Sequence, residues 1–188
     1  MNRIDDPRLV FYMRHQNLIE EWAAVADDVR RAAIDFYESL ADDLEGVASN
    51  LGDEVEVWRR EGTWGQVGLH KPSWHTDKDN PRVAIALEWY RKNCSFVGGN
   101  LTVGVWVNPQ APGGKELSAA LRERTRNQPG HARFPSSSAI WPAYRETPHA
   151  QGDHWWEDLA PYRQQLVAAI TECWGSLADD IDAVANAL

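Results

Sequence analysis

The stretch Val83-Ala84-Ile85-Ala86-Leu87-Glu88-Trp89, followed by Leu101-Thr102-Val103-Gly104-Val105-Trp106-Val107, decides the fold. Large apolar residues recur at every second position and Pro, Gly or Asn bounds each run, so both read as strands with a continuous apolar face. Gly98-Gly99-Asn100 between them has the chemistry of a hairpin turn. Upstream, Val55-Glu56-Val57 alternates in the same way. Residues 63–69, Thr-Trp-Gly-Gln-Val-Gly-Leu, make a weaker strand thinned by glycine, and Asp77-Lys78-Asp79-Asn80-Pro81 reads as a turn or loop. Short turns join antiparallel neighbours, which predicts a meander of about four strands. A further strand is expected around Ala139-Ile140-Trp141.

On either side of this middle the period changes from 2 to 3.6. Leu18, Trp22, Val25, Val29, Ala32, Phe36, Leu40, Leu44 and Val47 follow steps of three and four, which predicts one helix with a single buried stripe. Asn17 with Glu20 has the form of a capping pair at its start. Asn50 with Gly52 offers a left-handed stop, and Gly46 is an earlier place for the helix to end or break. At the other end Leu159, Tyr162, Leu166, Ile170, Cys173, Leu177, Ile181, Val184 and Leu188 repeat the pattern, with Asp158 as the expected N-cap and Pro161 in the first turn. A shorter helix is expected from about Lys115 to Arg126, after the loop Asn108–Gly114. The prediction is one α+β domain over residues 1–188: an antiparallel sheet of four to five strands packed by a long N-terminal and a long C-terminal amphipathic helix.

Charge is sorted along the chain. Residues 1–60 hold 14 acids and 7 bases, residues 61–150 hold 7 and 11, and residues 151–188 hold 7 and 1; the total is −9. Acidic helices around a mildly basic middle favour a protein partner with a basic surface and disfavour direct binding to a phosphate backbone. Ten Trp exceed any ordinary share, and most are expected in the core with one polar edge satisfied. Cys94 and Cys173 are too far apart in sequence for a ligand motif and point to a reducing compartment. No run of eighteen apolar residues occurs, and Met1-Asn2-Arg3-Ile4-Asp5-Asp6 lacks the apolar core of a signal peptide, so the expected location is the cytoplasm. The preference for Arg, Ala and Asp suits a high-GC bacterial or phage gene.

No constellation of catalytic residues stands out. His149, Asp153 and His154 are ligand-type residues, but a His-to-His spacing of five does not place both on one helical face. His70 and His75 have the chemistry to join them in space. Pro112-Gly113-Gly114-Lys115-Glu116 lacks the first glycine and the hydroxyl of a phosphate loop, and Ser136-Ser137-Ser138 lacks a nucleophile elbow. Arg122, Arg124, Arg126 and Arg133 form the one basic segment able to meet nucleic acid or an acidic partner.

Gly62-Thr63-Trp64, the strand Val83 to Trp89, Leu101 to Val107, Ile140-Trp141-Pro142-Ala143-Tyr144 and the closing Asp179-Asp180-Ile181-Asp182 together resemble the carboxy-terminal accessory region of some bacterial PD-(D/E)xK-superfamily nuclease-like proteins, over residues 58–188. The family's metal-binding motif has no counterpart: Glu88-Trp89-Tyr90 lacks the lysine. The resemblance therefore implies a fold without the nuclease active site. The function expected is a non-enzymatic protein-interaction or inhibitor module requiring no cofactor, with a phage or mobile-element anti-defence protein acting on a nucleic-acid-processing complex as one concrete form. Asp27, Asp35, Asp42 and Asp43 are the residues expected to form its acidic surface. Two alternatives stay open, a metal-dependent hydrolase using His149, Asp153 and His154, and a nucleic-acid-binding accessory domain using Arg122, Arg124 and Arg126 with the aromatics of the sheet.

Overall fold

The computed structural model describes residues 6–77, 80–97, 101–125, 139–147, 149–151 and 153–188. In chain order the elements are α1 (Pro7–Leu51), β1 (Glu56–Arg60), β2 (Trp64–His70), a small ribbon of β3 (His75–Asp77) and β4 (Asn80–Pro81), β5 (Val83–Tyr90), β6 (Leu101–Val107), α2 (Gly114–Arg124), β7 (Ala143–Glu146) and α3 (Ala160–Ala185). The main sheet has the order β1-β2-β5-β6-β7 and is antiparallel throughout. It is an α+β fold whose sheet is a meander, with the β3–β4 ribbon set between its second and third strands.

The period-two pattern splits the sheet into two different faces. Val67 and Leu69, Val83, Ile85, Leu87 and Trp89, and Leu101, Val103, Val105 and Val107 all point to one side and join the main core. There they meet Tyr37, Leu40 and Leu44 of α1, Leu117 and Leu121 of α2, and Leu166, Ile170, Cys173, Leu177 and Ile181 of α3. The two long helices are also tied by polar contacts. The Tyr37 hydroxyl donates to the Ser95 carbonyl (3.2 Å) and lies 3.3 Å from the Tyr162 hydroxyl. Arg163 of α3 donates to the Ser39 carbonyl (2.6 Å), pairs with Asp43 and sits 5.8 Å from the centre of the Phe36 ring. The outer strands are held by charge as well: Arg59 of β1 pairs with Asp42, and Arg145 of β7 donates to the Ala169 carbonyl and to Glu172.

Several element boundaries differ from those expected, each for a local reason. α1 begins at Pro7, because Asp6 accepts the Arg8 N–H (2.9 Å) and proline suits the first turn; Asn17 and Glu20 lie inside the helix. The helix kinks at His15 (φ −122°, ψ 18°) but continues. Gly46 neither ends nor breaks it, and the stop is Gly52, whose φ of 137° favours glycine and whose N–H donates to the Ala48 carbonyl. The last strand is not around Ile140 but at Ala143–Glu146: Val107 N–H reaches the Ile140 carbonyl (2.7 Å), yet Pro142 has no N–H and the regular ladder starts only beyond it. Leu159 rather than Asp158 is the N-cap of α3, although the Asp158 carboxylate still accepts the Ala160 N–H (2.9 Å). α2 spans Gly114–Arg124, while Arg126, Arg133, the Gly98–Asn100 turn and Ser136–Ser138 lie outside the described residues.

Candidate functional site

A 45-residue helix is about 67 Å long at 1.5 Å per residue, whereas a five-stranded sheet with strands of this length extends only about 20 Å in either direction. Most of α1 therefore has nothing to lie on. Burial begins at Ala33 and follows Tyr37, Leu40, Leu44 and Ala48. The expected single buried stripe is thus corrected in its first half: Leu18, Trp22, Val25 and Val29 are 53, 65, 46 and 47 % exposed, as is Phe11 at 60 %. At about 100° per residue Trp22 shares the direction of buried Leu40, and Leu18 and Val29 share those of Phe36 and Val47, which pack on the core, so the row continues the core-facing side of the helix and stands exposed because the body ends beneath it. Phe36 marks where the row reaches the body, stacking on Tyr162 with ring centroids 5.8 Å apart. The outcome is an arm, residues 7–32, with an uncovered apolar row along one side.

Along the arm the charges are largely answered within the helix. Arg30 pairs with Asp27 (2.9 Å) and Arg31 with Asp28 (3.0 Å), and Glu20 accepts from Gln16 (2.8 Å) and from the Tyr12 hydroxyl (3.1 Å). Of the four acids expected to form a surface, Asp27 pairs with Arg30, Asp42 with Arg59 and Asp43 with Arg163, while Asp35 is exposed. Within the basic segment, Arg122 is half-buried and Arg124 pairs with Asp180 of α3, balancing an acidic helix inside the fold.

His149 is half-buried, Asp153 is exposed, and His154 is exposed in a left-handed conformation (φ 63°) with its Nδ1 3.1 Å from Glu157. Among the described residues no group of three or more His, Cys, Asp or Glu is arranged to hold a metal. His70 and His75 meet each other rather than His149, with Nδ1 and Nε2 2.6 Å apart and the rings stacked. Burial, with His75 beside it, pulls the His70 imidazole below its ordinary value.

The face of the sheet turned away from the helices was not anticipated as a distinct feature. Its middle row runs Trp58, Gly68, Ala86, Gly104 and Tyr144 across five strands, with Ala84 opposite Trp106 in the row beside it. Small residues leave a shallow floor, and Trp58, Trp106 and Trp141 close over it as a second small core. At its edge a cavity of about 480 Å³ is lined by Arg60, Trp64, Glu88, Trp106, Ile140 and Trp141, among others. Burial raises the Glu88 carboxyl above the usual carboxylate range, against the Gln66 amide and Trp141 indole that donate to it and the nearby charge of Arg60. The chemical groups of this cavity engage one another: Glu88 has Gln66 and Trp141, and Trp106 has Trp58 stacked on it and the Arg60 guanidinium 5.3 Å from its ring centre. In the arm, by contrast, Leu18, Trp22, Val25 and Val29 stand exposed with no core of the described residues over them.

No family model, curated protein or solved structure matches the chain. Among the described residues no helix is long and apolar enough to cross a membrane.

Proposed function

We propose that the chain is a non-enzymatic protein-interaction module that engages its partner through the apolar row of the α1 arm. The observation that carries this reading is the exposure of Trp22, 65 %, at the middle of a row in which Leu18, Val25 and Val29 are each about half exposed. A contiguous apolar row of this kind in water marks a contact surface, and Trp is the residue most enriched among binding anchors. Covering each such side chain is worth about 1.5–3 kcal/mol. The excess of acids in residues 1–60 adds electrostatic steering towards a partner with a basic surface, which suits an inhibitor or anti-defence protein directed at a nucleic-acid-processing complex. Three of the four acids first expected to carry the contact hold arginines of their own chain, so the apolar row supplies the affinity and the acids tune the rate of encounter.

The test places a photo-crosslinking residue at Val25 and, as a control, at Glu172 on α3. A defined protein adduct from position 25, lost on Trp22→Asp and absent from position 172, is expected. No adduct from position 25, or one indifferent to Trp22→Asp, overturns the reading.

A further inference from the structure

We infer that the partner of the arm is a second copy of this chain, packed against it antiparallel. The inference rests on the reading of the arm as a contact surface and names what covers it, leaving the acids outside the seam as the surface that steers a basic partner. Phe11, His15, Leu18, Trp22, Val25, Val29, Ala32 and Phe36 alternate steps of four and three, the seam of a two-stranded coiled coil. His15, Trp22, Val29 and Phe36 occupy one core position of the heptad, and Phe11, Leu18, Val25 and Ala32 occupy the other. Arg14, Glu21 and Asp28 flank the seam on one side. Tyr12, Ile19 and Ala26 flank it on the other.

Direction follows from who would meet whom. A parallel pair sets His15 on His15 and Trp22 on Trp22, and its flanking contacts, Arg14 with Ile19, Glu21 with Ala26 and Asp28 with Ala33, bring no attraction. An antiparallel pair crosses the two core positions. In one register Leu18 of each chain meets Trp22 of the other, Val25 meets His15, and Val29 meets Phe11, so every exposed residue of the row is used. The same register brings Arg14 of each chain to Asp28 of the other, twice by symmetry and beside the Arg31 that Asp28 already holds, against a single like-charge contact of Glu21 with its own copy on the twofold axis, while Ile19 packs on its own copy. Shifting by a heptad one way sets Val25 against Arg8 and leaves Val29 outside the overlap. Shifting the other way sets Glu21 against Asp28 twice, offset by Arg14 against Asp35, and calls on Phe36, already stacked on Tyr162 of its own body, to meet Phe11. The first register joins coverage of the exposed row outside the body to an excess of attractive over repulsive flanking pairs.

The bodies fit this arrangement. Ala33, where burial begins, falls opposite Pro7 of the other copy, so each sheet domain sits beyond the end of the opposing helix. The domains are then held roughly 39 Å apart, the length of 26 helical residues. The kink at His15 falls in the layer formed with Val25, outside the central Leu18–Trp22 layers.

Sedimentation equilibrium of the full chain measures the association. A mass twice 21.3 kDa is expected at micromolar concentration, falling to the single-chain mass in Trp22→Asp and in Val25→Glu with unchanged far-ultraviolet circular dichroism. Arg14→Glu or Asp28→Arg alone weakens the dimer about tenfold, from two lost pairs that become repulsions, and the double variant recovers most of that loss. Glu21→Cys forms a disulfide with its own copy, while Arg14→Cys does so only when mixed with Asp28→Cys. A single-chain mass at 100 μM, or Arg14→Cys crosslinking to itself, overturns the inference. If the mass is single while position 25 still yields an adduct with another protein, the second copy fails and the interaction reading stands. If neither dimer nor adduct forms, both fail.

Discussion

Trp58 and Trp106 stack with ring centroids 4.7 Å apart and planes 30° from parallel, although strands β2 and β5 run between their backbones. The rings can meet only because the residues beneath them are small. Trp58 has Gly68 as its register partner, Gly68 has Ala86, and Trp106 has Ala84.

Trp106→Ala removes one of the three indoles of this second core and leaves a void over a floor of glycine and alanine too small to collapse into it. A loss of about 3–5 kcal/mol in urea unfolding is expected, the upper range for a buried aromatic. A loss under 1 kcal/mol would mean that the stack contributes little and that the main core alone holds the sheet.

On the opposite face the other glycine of β2, Gly65, has a different use. A Cβ at Gly65 would lie 2.4–2.6 Å from the indole of Trp89, itself buried at 2 % exposure. Gly65→Ala should cost about 1–3 kcal/mol by overpacking, and Trp89→Leu in the same chain should restore part of it. Additive losses in thermal melts would contradict the contact.

The acid-base behaviour of Glu88 has a definite sign. Burial raises its folded-state value above the ordinary 4.5, so the stability it adds is fully present below that value and is lost as the pH rises through the raised one. Glu88→Gln keeps an acceptor for Gln66 and Trp141 but does not titrate. Relative to the parent chain the variant should therefore become more stable between pH 4 and pH 7, read from urea midpoints at both. A difference that stays flat across this window rules the buried carboxyl out as the source.

Both thiols are buried and outside any disulfide, and burial pushes Cys94 up to about 11 and Cys173 up to about 12. At pH 8 neither is a thiolate, so the folded chain should react with a disulfide reagent orders of magnitude more slowly than the unfolded chain, in which two thiols appear at once. Rapid native modification of either would show local opening of α3 or of the segment after β5. The slow background also makes engineered cysteines in the arm readable without replacing the native pair.

What the sequence made legible was periodicity. Val83 to Trp89 and Leu101 to Val107 could be read as strands, and the three-four rows as helices, because a one-sided core imposes those spacings directly. The same rule misled at Leu18, Trp22, Val25 and Val29. An apolar row looks alike whether the body of its own chain or another surface covers it, and only the size of the sheet against the length of α1 separates the two. Gly68 was read only as thinning a weak strand, and Ala84, Ala86 and Gly104 drew no reading of their own, since the role of all four as a floor depends on which strands pair and in what register. The acids were visible, but not that Arg59 and Arg163, distant in sequence, would take two of them.

The rims of the sheet bear on how copies of this chain assemble. β1 ends in Arg59 and Arg60, and β7 is four residues long, with Arg145 turned to α3. Short, charged rims of this kind discourage a neighbouring molecule from extending the ladder. A concentrated solution should therefore hold discrete particles of fixed size rather than cross-β filaments, with growth ended wherever the helical arm finds its cover.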